Sequence, residues 1–493
     1  MVYKSETKNQ GFKIPQEVRD VLSKLERAGH EAYIVGGSVR HLIMGEEPND
    51  WDITTNAKPD QVQAIFPDSF YENKFGTVGV KVDTEDNALR VVEITTYRIE
   101  SKYTDKRHPD ELKFAEKLED DLKRRDFTIN ALAMDLDGKI IDLFGGKDDI
   151  KNKIIRAVGD PNERFGEDAL RMMRAIRFLA QLGFNIEKDT LEAIKKNHEL
   201  MRMVSQERIR DEFIGIINSS DADSGLEILR ETGLLKFVLP ELLEGVGVGQ
   251  NKHHIYSVWE HNVRALKYAC EKNYSLEVRL ASLLHDVGKP RSKRGDGVDS
   301  TFYGHDVIGA NMAARALDRL RFSQKQVEKI VKLVRFHLFY YNVGEVTEAS
   351  VRRLVANIGK ENVEDLIKVR EADRIGSGVP KAKPYKLRHL QFMIDKVARD
   401  PISSKMLKIN GGDIMKILNI EPGPRVGMIM NTLMNEVLED PNKNTKEHLE
   451  VRIQELNNLP EAKLIEFGQI GKQKTIEEEE REVGKIKDKH YVE

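Results

Sequence analysis

The chain has 493 residues, 33% of them charged and 40% hydrophobic, a net charge of −3 and a single cysteine. That length exceeds what one core serves and predicts about three to four domains. The charge balance excludes nucleic-acid capture by a global basic field, leaving local basic clusters, and Cys270 alone excludes an internal disulfide or a multi-cysteine zinc site. No apolar run reaches the roughly 18 residues of a membrane helix, and Met1 to Lys13 is polar rather than signal-like. The expected location is cytoplasmic.

Residues 16 to 150 alternate helical and extended patterns, with a helix near Glu17 to Ala28 and strands near Ala32, Gly79 to Val82 and Arg90 to Thr96. The first apolar run, Ala32 to Val35, enters a Gly36-Gly37-Ser38 turn and then a basic helix start at Val39-Arg40. Ten residues after Arg40 comes Asp50-Trp51-Asp52. In a strand, positions i and i+2 share a face, so the two carboxylates are expected to project together. A hard cation such as Mg²⁺ relieves their repulsion and keeps coordination positions for substrate phosphate. A surface turn followed by an acidic strand end is the plainer reading, but the order and spacing favour a phosphate-handling site.

Glu93, in Val91-Val92-Glu93-Ile94-Thr95-Thr96, fits a strand that sets a third carboxylate beside this pair. On the residues alone, an ordinary solvent-facing glutamate fits as well. Next, Lys123-Arg124-Arg125-Asp126-Phe127-Thr128-Ile129-Asn130 offers forked donors that match phosphate. Asp126 and Asn130 are suited to holding a sugar or the arginines themselves.

After Asp149 the pattern becomes almost wholly helical, as in Asp168 to Leu182, Ser205 to Ile217, Ser224 to Leu234 and Val327 to Phe336. In the first of these, Asp168, Arg171, Arg174 and Arg177 recur every third residue, beside an apolar side of Leu170, Met173, Ile176 and Leu179. A salt-bridge ladder explains one such arginine better than three. Asp and Arg can also read base edges. The end, Gly471 to Glu493, reads as a solvated helix extension or a disordered tail.

The segments Val35 to Arg40, Asp50 to Asp52, Arg124 to Ala131 and Glu167 to Arg171 resemble the ordered motifs of bacterial class II CCA-adding tRNA nucleotidyltransferases, of the DNA polymerase beta superfamily. The resemblance runs from about residue 14 through 240 and continues near Ile409 to Leu449. It implies an α+β chain: a mixed α/β nucleotidyltransferase head over 14–150, then a helical neck over 151–240 with the nucleotide template. It further implies that Asp50 and Asp52 bind Mg²⁺, beside which the strand reading sets Glu93 as a third catalytic carboxylate. Gly37, Arg40 and Arg125 would contact the nucleotide, Asp168 and Arg171 would select CTP and then ATP, and Arg174 and Arg177 would join the nucleotide site. The implied partners are tRNA, CTP and ATP, with no membrane and no protein partner. Tyr103 to Pro109 resembles the flexible loop used in switching from C to A. One departure is His41, where the family usually has Asp.

A second set comprises His261, His285-Asp286, His305, His337 and Asp373, at gaps of 24, 20, 32 and 36 residues. Imidazole with carboxylate suits a divalent transition metal or Mg²⁺, whose bound water is a hydrolytic nucleophile. The set resembles the HD phosphohydrolase superfamily. That implies an HD domain over 241–380, a metal core of His261, His285, Asp286 and Asp373, room for a second ion at His305 and His337, and phosphatase or 2′,3′-cyclic phosphodiesterase activity. The metal's identity stays open. Residues 381–470 would then be a C-terminal helical tRNA-binding region and 471–493 a charged tail. Two rivals remain: a bacterial poly(A) polymerase, and an HD phosphohydrolase whose nucleotidyl domain only binds RNA.

Overall fold

The structure, a computed structural model, describes the chain apart from residues 1–10, 72–75, 87–88, 101–111, 252–254, 296, 340, 400–403 and 493. The loop expected at 103–109 therefore lies outside the described residues. The chain divides into two compact units, one of residues 1–338 with 368–380, the other of 339–367 with 381–493.

The first unit opens with α1 (Gln16–Arg27), which buries Val18, Val21, Leu22 and Leu25 at helical spacing. Then follow β1 (Ala32–Val35), α2 (Gly37–Met44), β2 (Asp52–Thr55), α3 (Pro59–Ile65), β3 (Ser69–Tyr71), β4 (Thr77–Lys81) and β5 (Val91–Thr96). A hairpin of β6 (Arg98–Glu100) and β7 (Leu112–Phe114) leads to α4 (Leu118–Lys123), β8 (Leu132–Met134), β9 (Ile140–Asp142) and α5 (Gly146–Lys151). Seven strands form one mixed sheet in the order β3-β4-β5-β2-β1-β8-β9, with β2 and β5 parallel and the other neighbours antiparallel.

A row of buried side chains sets the register. Val78, Ile94, Ile53, Ile34 and Met134 lie opposite one another across β4, β5, β2, β1 and β8, all at most 1% exposed. Because successive side chains alternate faces, a slip by one residue would turn this whole row to the other face. The same register puts Asp52 opposite Glu93 on the parallel pair. Apolar packing on one face thus aligns two carboxylates on the other.

Beyond residue 150 the described residues of the first unit are mostly helical, with a two-residue parallel pair, Ile154–Ile155 with Asn185–Ile186. Helix α6 (Pro161–Glu167) starts at Asp160, whose side chain accepts the Asn162 N–H, with Pro161 at the first turn. Then come α7 (Leu170–Leu182), α8 (Lys188–Asn197), α9 (Gln206–Ile217) and α10 (Ala222–Glu231). Further helices span Val258–Glu271, Leu276–Leu284, His305–Arg319 and Gln324–Phe336.

The second unit has a core built around Ile414, Ile429, Leu433, Ile453 and Leu464. Its last helix, Glu461–His490, takes the helical alternative for the acidic terminal stretch. Among the described residues, no helix is long and apolar enough to cross a membrane.

Candidate functional site

Gly36 turns β1 into α2 with a φ of +70°, a conformation that favours glycine. A Cβ there would meet the Arg125 Nη1 at 2.9 Å and stand 3.9 Å from the Asp52 Oδ2, so this turn runs between a guanidinium and a carboxylate. Ser38, at the start of α2, ties the turn to the acidic loop. Its hydroxyl donates to the Asp50 carbonyl at 3.1 Å and accepts the Asp52 N–H at 3.2 Å.

One expectation needs correcting here. Strand β2 begins at Asp52, and Asp50 lies in the bend before it. The pair is held together by the Ser38 hydroxyl rather than by strand alternation. Asp52 does face Glu93 across the ladder as expected.

The arginines of 124–125 are braced from below by Asp121, which sequence reading missed. Its carboxylate, 0% exposed, accepts from Arg124 Nη2 at 2.6 Å and Arg125 Nη2 at 3.3 Å. Burial pushes the Asp121 carboxyl up, yet Arg124 and then Arg125 outweigh it and hold it below the ordinary range. The i,i+3 and i,i+4 spacing in and beyond α4 was the available signal.

Of the two alternatives for Asp126 and Asn130, the structure shows the one in which they hold arginines. Asn130 accepts from Arg40 Nη1 and donates to Asp126 at 3.1 Å; Asp126 accepts Arg174 Nε at 2.8 Å. Burial opposes ionisation of Asp126, but the Arg174 charge and the bonds from Asn130 and Arg174 bring it to about 2. Arg174 and Arg177 also share Glu212 of α9, at 3.7 and 3.2 Å. Burial raises the Glu212 carboxyl despite these partners. Arg40 and Arg125 each keep a buried Nε without a hydrogen-bond partner. A site that gathers guanidiniums in this way is suited to a polyanion.

Asp168 sits between α6 and α7, where it accepts the Leu170 N–H at 3.0 Å and Arg208 Nη2 at 2.7 Å. Arg208, on α9, was also missed by sequence reading, and no local spacing announces it. Arg171 is buried, donating to Glu167 at 2.7 Å and to the Arg124 carbonyl at 2.9 Å. It thereby ties α7 to the 124–126 segment. His41 sits where its Nε2 faces Arg40 Nη2 at 3.1 Å, and burial followed by the Arg40 charge lowers its pKa.

The second set does converge. The ligand atoms of His261, His285, Asp286 and Asp373 lie within 4.8 Å of one another, as do those of Asp286, His305 and His337, and all are buried. His261 Nε2 is 3.0 Å from Asp286 Oδ2 and 3.4 Å from Asp373 Oδ1. His305 and His337 present Nε2 to Asp286 Oδ1 at 3.3 and 3.5 Å.

The outer edges of three rings decide what fits. His285, His305 and His337 each set Nδ1 at 2.7 Å from the carbonyl three residues earlier: Ser282, Phe302 and Val334. A carbonyl only accepts, so each Nδ1 carries a proton and each ring turns its Nε2 toward carboxylate oxygens. A proton or a metal ion must stand between each Nε2 and those oxygens, and carbonyl-anchored imidazoles are the usual setting of metal-bound histidine. The donor set therefore fits one or two divalent ions. Gly288 makes room for this centre, since a Cβ there would collide with the His305 carbonyl and the Gly309 N–H. Beside it opens a cavity of about 460 Å³ lined by Lys289, Arg370 and Arg374 as well as Asp286, His305, His337 and Asp373.

Comparison with known proteins gives the class first. Residues 32–156 match the Poly A polymerase head domain family, 183–245 a family described as "Probable RNA and SrmB- binding site of polymerase A", and 307–452 a tRNA nucleotidyltransferase domain 2 family. The chain is a nucleotidyltransferase with this head. A CCA-adding enzyme of Ligilactobacillus salivarius is 35% identical over 443 residues, covering 88% of this chain and 96% of that one. The chain belongs to the CCA-adding enzyme family. A relative from Lactobacillus helveticus is 53% identical over 215 residues, 43% of this chain and 53% of its own length. The crystal structure of the Bacillus stearothermophilus CCA-adding enzyme in complex with CTP is 29% identical, covers 90% of this chain and 97% of that one, and has a TM-score of 0.59.

Proposed function

We propose that the chain completes the 3′ end of tRNA, adding C, C and A from CTP and ATP with release of pyrophosphate. The observation that carries this reading is the register that sets Asp52 opposite Glu93, with Arg125 across the Gly36 turn. Asp50, Asp52 and Glu93 are a donor set that fits Mg²⁺, which would neutralise the leaving group and lower the pKa of the attacking hydroxyl. Gly37 lets the backbone of α2 approach the nucleotide. Arg40 and Arg125 take its phosphates, with Arg174 and Arg177 behind them. Asp168 and Arg171 present acceptor and donors to the base edge. The tRNA 3′-hydroxyl attacks the α-phosphorus in line with the departing pyrophosphate.

The domain limits given above, 14–150, 151–240, 241–380, 381–470 and 471–493, and a cytoplasmic location belong to the same proposal. So does a second activity: an HD-type phosphohydrolase at His261, His285, Asp286 and Asp373, acting on phosphomonoesters or 2′,3′-cyclic phosphates. Its support is the carbonyl-anchored histidines, and Lys289, Arg370 and Arg374 would favour an anionic substrate.

The test is a tRNA transcript lacking CCA, incubated with Mg²⁺, CTP and ATP and resolved to single nucleotides, beside a D50A/D52A double variant. Addition of C, C and A followed by a stop, lost in the variant, is the expected result. Long A tracts would identify a poly(A) polymerase instead. No extension at all would leave only the hydrolase reading.

A further inference from the structure

We propose that Phe178 is a positioning residue for nucleotide binding: its ring gathers the guanidiniums of Arg40, Arg174 and Arg177 and holds their hydrogen-bonding edges toward the triphosphate. This rests on the nucleotidyltransferase reading of the site above.

The geometry is specific. The guanidinium carbons of Arg40, Arg174 and Arg177 lie 5.2, 5.4 and 5.1 Å from the Phe178 ring centroid. Phe178 is on α7 and 5% exposed. Arg40 comes from α2, an element distant in sequence from α7. One ring therefore joins the glycine-turn helix to the arginine row. The ring is itself oriented by Phe127, edge-on at 5.9 Å and 88°, and Phe127 follows Asp126 in the arginine-binding segment. Gly215 of α9 completes the arrangement, since a Cβ there would press to 2.5 Å on the Arg177 stem.

Three like charges so close repel one another, and Asp126 and Glu212 offset part of that repulsion. The negative face of an aromatic ring offsets part of the remainder. It also does so without competing for phosphate. A guanidinium binds a ring through its face and an oxyanion through its edge, so stacking leaves donors available. The buried Nε of Arg40, which has no hydrogen-bond partner, is consistent with an edge kept for a ligand. An aliphatic side chain of similar volume would fill the space but would leave the three cations without that attraction.

The experiment replaces Phe178 in the full chain with mono-, di- and trifluorinated phenylalanines, which keep the ring's shape while draining its face, and adds F178L and F178Y. Dissociation constants for CTP and ATP are measured by calorimetry, independently of turnover, together with Tm and steady-state KM and kcat. The expected result is a stepwise weakening of both nucleotides along the fluorine series, reaching about tenfold, with Tm nearly constant. KM should rise with it and kcat should change little; F178L should match the end of the series and F178Y should stay near wild type. Flat nucleotide affinity across the series overturns the proposal, as does a loss of Tm and kcat without a change in affinity. Failure of the parent protein to extend tRNA while affinity still follows the series would overturn the reaction assigned above, not the role of Phe178.

Discussion

The Ser38 hydroxyl accepts the Asp52 backbone N–H at 3.2 Å and donates to the Asp50 carbonyl at 3.1 Å, joining the two acidic positions to α2. Ser38 is 0% exposed. Replacing it with alanine strands two backbone groups, so S38A should lose about 1–2 kcal/mol of stability. Slackening of the acidic loop should lower kcat about tenfold. Thermal melts and single-turnover CTP incorporation check both; a variant with unchanged kcat would show that the carboxylates keep their places without the serine.

Glu93 faces Asp52 through a register locked by isoleucines on the opposite side of the sheet. E93Q keeps that packing and removes one charge. Its Tm should stay near wild type while kcat falls about 100-fold with little change in KM. An activity within a few-fold of wild type would remove Glu93 from the catalytic set.

His41 gives the site a pH dependence of definite sign. Burial and the adjacent Arg40 lower its pKa from 6.5, so the unfolded chain binds a proton that the folded one refuses. Its neutral form is unpenalised above that value, and stability falls as pH drops through about 6.5 toward the folded pKa. Protonation also removes the acceptor facing Arg40. KM for CTP should therefore rise only as pH falls further, toward the lowered folded pKa, and H41N should flatten both the Tm and KM profiles. Parallel profiles for the two proteins would show that another group is responsible.

Arg208 holds Asp168 from α9 at 2.7 Å. R208A should let that carboxylate swing, cutting the preference for CTP and ATP over UTP and GTP by about tenfold. Competition assays with all four nucleotides measure it. Unchanged selectivity would mean that Asp168 is positioned by its bond to the Leu170 N–H alone.

The histidine centre should bind divalent metal in the purified protein, and a chelator should lower its Tm by several degrees. D286N, which alters the carboxylate shared by all four imidazoles, should reduce metal content measured by elemental analysis and leave CCA addition intact. Full metal content in D286N would contradict the ligand assignment.

Much of the head was legible because its signals are local. The turn at Gly36, the carboxylates at 50 and 52, the paired arginines and the arginine row of α7 are all written in neighbouring residues. The mistaken placement of Asp50 has a physical cause: alternation describes residues already in a strand, and β2 starts two residues later than assumed. Three-residue strands such as β8 and β9 were not anticipated, since so short a segment shows no period.

The sequence by itself determined the order and spacing of the candidate side chains and the two periods that bury their neighbours, because apolar spacing acts within a few residues. Only the tertiary structure decided what holds them. Asp52 meets Glu93 through a buried row drawn from five strands; Asp168 meets Arg208, Arg177 meets Glu212, and four histidines converge on Asp286. Such partners are brought together by packing between distant elements. Charge and hydrogen bonding then select among geometries that no local pattern records.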